Sequence, residues 1–302
     1  AAVNEAIAIC RTANVMGVIS HHKAIGKANW GKTTATLAAI LAARNEGVDI
    51  YCDVYPYTAL NTSLYTLLPN SLYVGGKEAM LRRLQDEQDC PELWQSINHI
   101  AGEDWDNIIV TRVNTKANKP YEGLSVRQIA AILKQPPPKA VISLLLAEAG
   151  SVTMIRHAMS EADLKTIVKF PYSMIGSDAG ARISVGPLAE GLPHPRTYGT
   201  FPRLLAQFVR DGQVLSLPEA IRKMSALPAH VFGLQRRGSI AVGYFADLTI
   251  FDLSRVKDNA TFTNPFLPPS GIEYVLVNGQ IAVANGVLTG VLAGRFLRRE
   301  YL

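Results

Sequence analysis

Val15-Met16-Gly17-Val18-Ile19-Ser20, followed at once by His21-His22-Lys23, and Val48-Asp49-Ile50-Tyr51-Cys52-Asp53-Val54, closed by Tyr55-Pro56-Tyr57, decide the fold. Both apolar runs are short and nearly unbroken, the pattern of strands covered on both faces. Between them a Gly-rich loop leads into a helix expected from about Thr33. That helix carries Leu37, Ile40 and Leu41 on one face and ends at Gly47. Strand, helix and strand at this spacing form a parallel α/β unit, the building block of an open parallel sheet or a barrel.

Downstream the rhythm changes. Helices are expected near residues 77–86 and 126–134, the second with a capping box in Ser125 and Gln128, and residues 108–113 read as a strand. Pro136-Pro137-Pro138 reads as a stiff breaker. Residues 58–138 are therefore expected to form an insertion on an α/β scaffold that occupies 1–57 and 139–232. The α/β rhythm resumes with the apolar stretch 140–146. A helix capped by Ser160 with Asp163 follows, then a short strand over 172–175 that stops at Gly176-Ser177-Asp178. Residues 179–200 form a long loop rich in Gly and Pro, a kind of loop that usually carries function. Of the two helices expected after it, the second starts at Ser216, with Pro218 in its first turn. After about Phe232 the pattern is β, with strands near 246–252, 274–277 and 280–284 and the hairpin turn Asn278-Gly279. Residues 233–302 are expected to be a small β domain.

Composition bounds the function. The chain has 302 residues, 48% apolar and 18% charged, with 30 Lys+Arg against 25 Asp+Glu, a formal charge of +5. This is globular composition with enough chain for a sizeable core, so neither disulfides nor metals are needed merely to fold. The basic residues are scattered in pairs such as Arg82-Arg83, Arg236-Arg237 and Arg298-Arg299, which argues against nucleic acid as a partner. No apolar run reaches the roughly 18 residues of a membrane span, and no signal-peptide pattern is present. Cys10, Cys52 and Cys90 contain no C-x-x-C pair, so a reducing compartment, the cytoplasm, is the expected location. The first residues, Ala1 to Cys10, lack a Met and follow helical spacing at Val3, Ala6, Ile7 and Cys10. A processed or truncated start is the expected reason.

Several residues can carry chemistry. Gly26-Lys27-Ala28-Asn29-Trp30-Gly31-Lys32-Thr33 fits the phosphate-binding pattern G-x-x-x-x-G-K-[ST] between a strand and a helix, which makes a P-loop nucleotidase one alternative. Three details count against it: His21-His22-Lys23 separates strand from loop, Trp30 is bulky where amides must wrap a phosphate, and Tyr-Pro-Tyr follows Asp53. His21 and His22 stand at the C-terminal end of a strand, the edge where chemistry collects in parallel α/β folds. There a histidine is a metal ligand, a base or a capping group. Lys23 beside it suits an anionic substrate. Asp178, at another strand end, is either a carboxylate that handles a water proton or a turn cap. Arg196, in Pro193-His194-Pro195-Arg196, either clamps a carboxylate bidentately or makes a surface ion pair. His99, His157 and His230 read as structural.

Taken together, Ile19-Ser20-His21-His22-Lys23, Asn29-Trp30-Gly31, Asp53-Val54-Tyr55-Pro56-Tyr57, Ile175-Gly176-Ser177-Asp178 and Pro193-His194-Pro195-Arg196 with Tyr198-Gly199-Thr200-Phe201 resemble the N-acyl-D-amino-acid deacylases (D-aminoacylases) of the amidohydrolase superfamily. The tail from Gly238 through Gly243 to Asp247 is similar to that superfamily's general C-terminal pattern. The P-loop match falls inside the family's Gly-rich loop, which accounts for it without a nucleotide. The resemblance implies a zinc-dependent hydrolase of N-acyl-D-amino acids, with no nucleic acid or membrane as partner. It implies an α/β fold: strands six to eight of a metal-dependent-hydrolase (β/α)8 barrel, an insertion, and a small C-terminal β domain. It makes His21 and Asp178 metal ligands and Asp178 the catalytic base and acid. It makes Lys23, Tyr55 and Arg196 the substrate-binding residues. Asn61 stands where the family often has a small hydroxyl residue.

The family's other metal ligands should precede His21, and none of the twenty residues before it is a His. A barrel lacking five strands exposes two sheet edges, and one His with one Asp falls short of the roughly three protein ligands of catalytic zinc. Two expectations follow: a second chain completes the site, or the sequence is part of a larger enzyme. An inactive remnant or binding subunit is the alternative of a different class.

Overall fold

The computed structural model of the chain describes residues 1–298; residues 299–302, with Arg299 and the end of the expected β segment, lie outside the described residues. Helix α1 (Ala2–Ala13) comes first and buries Ile7 and Cys10, the face marked by its apolar spacing. Strand β1 (Gly17–Ile19), helix α2 (Lys32–Asn45) and strand β2 (Ile50–Val54) form the expected strand–helix–strand unit. β1 and β2 pair in parallel, with Val18 opposite Tyr51. Strand β3 (Ala59–Ser63), helices α3 (Gly76–Asp86) and α4 (Pro91–Ala101), strand β4 (Ile108–Arg112), helices α5 (Val126–Leu133) and α6 (Pro137–Ala147) and strand β5 (Thr153–His157) follow. The chain then runs through α7 (Glu161–Lys169), β6 (Ser173–Ile175) and α8 (Arg196–Arg203), which continues as a π-helical stretch over Leu204–Asp211. Helices α9 (Leu217–Met224) and α10 (Ala226–Val231) precede the last strands, β7 (Leu248–Phe251), β8 (Ile272–Val277), β9 (Gln280–Ala284) and β10 (Val287–Leu288).

Three sheets result among the described residues. β1, β2 and β6 lie side by side in parallel, with β2 in the middle. Their core joins Ile40 of α2, Ile50 and Cys52 of β2, Val168 of α7 and Leu204 and Phe208 of the π-helical stretch. β3, β5 and β4 make a separate antiparallel sheet, with Ala59 opposite His157 and a core of its own around Leu64, Leu84, Ile97, Trp105, Ile108 and Ile142. β7 to β10 form an antiparallel meander turned at Asn278-Gly279, with Asn278 and Gly279 both at positive φ, as that hairpin turn requires. Among the described residues the parallel strands do not close into a barrel.

Two local expectations change. The Pro136–Pro138 run opens helix α6 instead of ending a segment. Proline is tolerated in a first helical turn, where its missing N–H has no intrahelical partner to lose. Pro138 is buried in the first turn of α6, whose Val141, Ile142 and Leu145 belong to the second core, and the sheet beside that core runs on to His157. Helix α4 is additional to the expected helices. Its signals are the same asymmetry, Pro91 in the first turn and Gly102 just past the end at φ 66. The capping box at α5 is present with both hydrogen bonds, Ser125 accepting from the Gln128 amide and Gln128 accepting from the Ser125 amide.

Candidate active site

All three parallel strands point their C-terminal ends the same way, and the residues just past those ends converge. After β1 the chain turns sharply at His21, whose φ is 43, and after β6 it turns at Asp178, whose φ is 47. A left-handed conformation costs a non-glycine residue roughly 1–2 kcal/mol, so each turn must be held by its surroundings. Asp53 of β2 holds the first. Its Oδ1 accepts from the His21 amide at 2.6 Å, and its backbone carbonyl accepts from the His22 amide at 2.8 Å. Gly176, on the far side, leaves room for that carboxylate: a Cβ there would lie 3.8 Å from Asp53 Cγ. Burial raises the Asp53 pKa, the largest influence, against the lowering effect of the His21 amide.

The predicted site residues come together. Lys23 Nζ donates to His21 Nδ1 at 2.7 Å, so the ring nitrogen left for a metal is Nε2. Lys23 Nζ is also 5.5 Å from the centre of the Tyr55 ring, and the Arg196 guanidinium covers the same ring at 4.3 Å. Arg196 Nη2 pairs with Asp178 Oδ2 at 2.8 Å. Tyr55 thus lies against both Lys23 and Arg196, with Asp178 paired to the latter. Burial brings Lys23 down to about 8, with Asp178 and Asp53 opposing the shift, and pushes the Tyr55 phenol up to about 12.

Arg196 is the least conventional member. Its residue is only 5% exposed, yet its Nε and Nη1 have no hydrogen-bond partner among the described residues, and neither does the buried Tyr55 hydroxyl. Buried donors of this kind are costly unless an acceptor meets them. The arrangement can grip an anion: a cation with two open donors, a second cation and a phenol, with one carboxylate alongside.

The sequence marks neither Asp53 as a turn anchor nor His194 as more than a member of its Pro-His-Pro-Arg motif. His194 is 3% exposed; its Nδ1 accepts from the Arg196 amide and its Nε2 donates to the Ala59 carbonyl, each at 3.0 Å. Burial first, and the Arg196 charge second, bring its pKa down to about 3, so it is neutral. Its position inside Pro193-His194-Pro195-Arg196 is the available signal. Asn61 donates to the Met154 carbonyl at 3.1 Å within the antiparallel sheet.

Two further expectations are decided by geometry. The Gly26–Thr33 loop does not form a phosphate cradle. The Gly31 amide donates to Asp163 Oδ2 at 2.9 Å, and the Thr33 hydroxyl donates to Asp163 Oδ1. A carboxylate already fills the place at the start of α2 that a phosphate would take. Zinc fits the chain's own residues incompletely. Among the described residues no group of three His, Cys, Asp or Glu side chains is placed to hold a metal ion. His21 and Asp178 supply two donors, against the roughly three of a catalytic zinc. Among those residues no helix is long and apolar enough to cross a membrane.

A family model described as "Amidohydrolase family" matches residues 161–283. An N-acyl-D-glutamate deacylase of Alcaligenes xylosoxydans xylosoxydans is 36% identical over 300 residues, covering 99% of this chain and 52% of that protein. A D-aminoacylase of the same organism is 34% identical over 299 residues, again 99% of this chain and 52% of that one. Among solved structures, one of a D-aminoacylase concerned with its binuclear metal centre superposes with a TM-score of 0.77 at 33% identity, covering 99% of this chain and 53% of that one. The N-acyl-D-glutamate deacylase of Bordetella bronchiseptica, complexed with zinc and a phosphonate inhibitor, gives 0.74 at 33% identity, over 97% and 53%. The chain spans about half the length of the curated relatives it matches.

Proposed function

Because the chain belongs to the N-acyl-D-amino-acid deacylases of the amidohydrolase family, we propose that it forms the substrate-carboxylate side of an enzyme that hydrolyses the amide of N-acyl-D-amino acids. In this reading β1, β2 and β6 are strands six to eight of a (β/α)8 barrel. The remaining strands and metal ligands come from polypeptide outside this sequence, in the same protein or in a second chain. Zinc is the metal of the reading, with His21 Nε2 and the Asp178 carboxylate as this chain's contribution. Two donors do not complete a zinc site, so the chemistry this chain supplies is that of its own side chains.

The amino acid's carboxylate lies against Arg196, accepting from one of its two donors, Nε or Nη1, that have no protein partner. Lys23 adds a second positive charge and Tyr55 a hydroxyl donor. Asp178 accepts a proton from the water that attacks the acyl carbonyl and delivers it to the amine nitrogen as the C–N bond breaks. Amide and water become a carboxylic acid and a D-amino acid. The observation that carries the reading is the buried Arg196, with two open donors beside Asp178. The test is release of D-amino acid from an N-acetyl-D-amino acid by the enzyme that contains this chain. Asp178→Asn should abolish turnover, and an Asp178→Asn enzyme with normal turnover defeats the role given to Asp178.

A second reading, a subunit or remnant that binds and does not hydrolyse, is favoured by the missing third donor. Zinc analysis separates the two: a natural protein of this length that binds N-acetyl-D-amino acids but holds no zinc and recruits no partner is the binder.

A further inference from the structure

Helix α8 starts at Arg196, and the first N–H groups of a helix have no partner within it. Ordinarily a Ser, Thr, Asp or Asn at the cap position accepts one of them. Here the cap position is Pro195, which has no such side chain. The His194 imidazole serves instead, its Nδ1 accepting from the Arg196 amide at 3.0 Å. Its other nitrogen, Nε2, reaches the Ala59 carbonyl at 3.0 Å, at the first residue of β3. One ring therefore ties the backbone of the anion-gripping arginine to the edge of the antiparallel sheet. The two bonds define one tautomer, with the proton on Nε2 and the lone pair on Nδ1.

Packing leaves the ring little freedom. Tyr57 meets it edge-on with ring centres 5.0 Å apart, Phe262 of the C-terminal region at 5.1 Å, and Tyr55 at 6.0 Å. Phe262 in turn contacts His157, the residue paired with Ala59 across the sheet. Tyr55 touches both His194 and the Arg196 guanidinium. Three parts of the chain meet at this imidazole: the Tyr-Pro-Tyr turn after β2, the antiparallel sheet, and the segment after β7.

We propose that His194 is a positioning residue for the carboxylate grip. It fixes the start of α8 relative to β3, and so sets where the Arg196 guanidinium meets the substrate carboxylate. The proposal rests on the reading of Arg196 as that grip. His194 touches no reacting atom; it acts through Arg196. The consequence is that movement of the antiparallel sheet is felt at the guanidinium, because Ala59 and Arg196 share one side chain.

The test uses the full chain, N-acetyl-D-glutamate as probe, and calorimetry. His194→Asn retains an acceptor near the place of Nδ1, whereas His194→Gln retains a donor near the place of Nε2. The expected result is that His194→Gln weakens binding about tenfold, the worth of one well-made hydrogen bond. His194→Asn, which loses the tie to Ala59, weakens it comparably, with both variants melting within a few degrees of the unaltered chain. Either variant binding as tightly as the unaltered chain overturns the positioning role. Nitrogen-15 NMR of the unaltered chain decides it if either variant fails to fold: Nε2 protonated and Nδ1 free is expected, and the opposite tautomer overturns it. The two layers stay distinct. If the unaltered chain and Arg196→Ala bind the probe equally, the carboxylate reading fails; if only Arg196→Ala and not His194→Gln loses binding, the His194 role fails alone.

Discussion

Arg196 Nη2 stands 2.8 Å from Asp178 Oδ2, joining the first residue of α8 to the turn that follows β6. The guanidinium end is nearly inaccessible, its side chain 6% exposed, while the carboxylate end is 40% exposed. The pair brings together the two residues to which the proposed reaction gives its most different roles, holding the substrate and moving the water's proton.

The pair should be measurable as a coupling. Asp178→Ala leaves the buried guanidinium with a further unpartnered nitrogen, at an expected cost of about 1–3 kcal/mol. Arg196→Ala should cost a similar amount, and the double variant clearly less than the sum. A double-mutant cycle in urea reads this; strict additivity would show the contact contributes nothing.

Acid should unlock the loop around Asn114. The Glu148 carboxylate, 3% exposed as a residue, accepts from the Asn114 amide at 2.6 Å, from the Thr115 amide and hydroxyl, and from Asn118 Nδ2 at 2.6 Å. Burial pushes its pKa up, but the hydrogen bonds from Thr115, Asn118 and Asn114 together outweigh that, and the net shift is downward. A carboxylate held below its ordinary value contributes stability that is present above the unfolded pKa and lost as pH falls through the folded one. Glu148→Gln is expected to lower stability by about 2 kcal/mol at neutral pH and to flatten the acid limb of the stability curve. Urea midpoints recorded from pH 7 down to pH 3 check both.

Lys223 should give the same sign, at high pH. It is fully buried, with Nζ donating to the Phe170 carbonyl and, at 3.0 Å, to that of Ser173, and Glu219 lies 3.6 Å away. Burial is the main cause that brings its pKa down to about 8, against the raising effect of Glu219. The folded chain therefore releases its proton at lower pH than the unfolded chain does. Unfolded chains bind more protons between about 8 and the ordinary lysine value, so stability rises with pH across that window. Lys223→Met should remove this rise; an unchanged slope by thermal melts at pH 7.5 to 10 counts against it.

Thiol labelling should single out one cysteine. Cys10 and Cys52 are buried, and burial pushes the Cys52 thiol up to about 12, whereas Cys90 is half-exposed beside Glu92. Thiolate is the reactive form, so Cys52 is doubly protected. Native protein at pH 8 should take up one equivalent of a thiol reagent, lost in Cys90→Ser, and three equivalents after unfolding. Fast native labelling of Cys52 would contradict the packing of β2.

Much of the scaffold is legible residue by residue. The run around Val18 and the one around Ile50 read as buried strands because both faces are apolar, and they are the paired parallel strands β1 and β2. Ser125 with Gln128, Ser160 with Asp163 and Ser216 with Glu219 mark helix starts, and each serine accepts there from a first-turn amide. The two differences among the helices fall at proline, one unread and one read as a breaker. Pro91 and Pro137 both open helices, because a proline is a break in the middle of a helix and a start at its first position. Nothing local tells these apart without knowing where the preceding turn ends.

The sequence by itself determined the first strand–helix–strand unit, several helix caps and turns, and which chemical groups follow the strand ends, His21, Lys23, Tyr55 and Asp178, with Arg196 further along. These are properties of a few neighbouring residues, set by periodicity, backbone preference and hydrogen bonds within a turn or two. Only the tertiary structure decided how those groups meet. It turned Asp53 into the anchor of the His21 turn, put Asp163 where a phosphate was conceivable, and set His194 between Ala59 and Arg196. Asp163 and Gly31 are more than a hundred residues apart in the chain, as are His194 and Ala59. Contacts of that span depend on how whole layers pack, and no short stretch of residues carries that information.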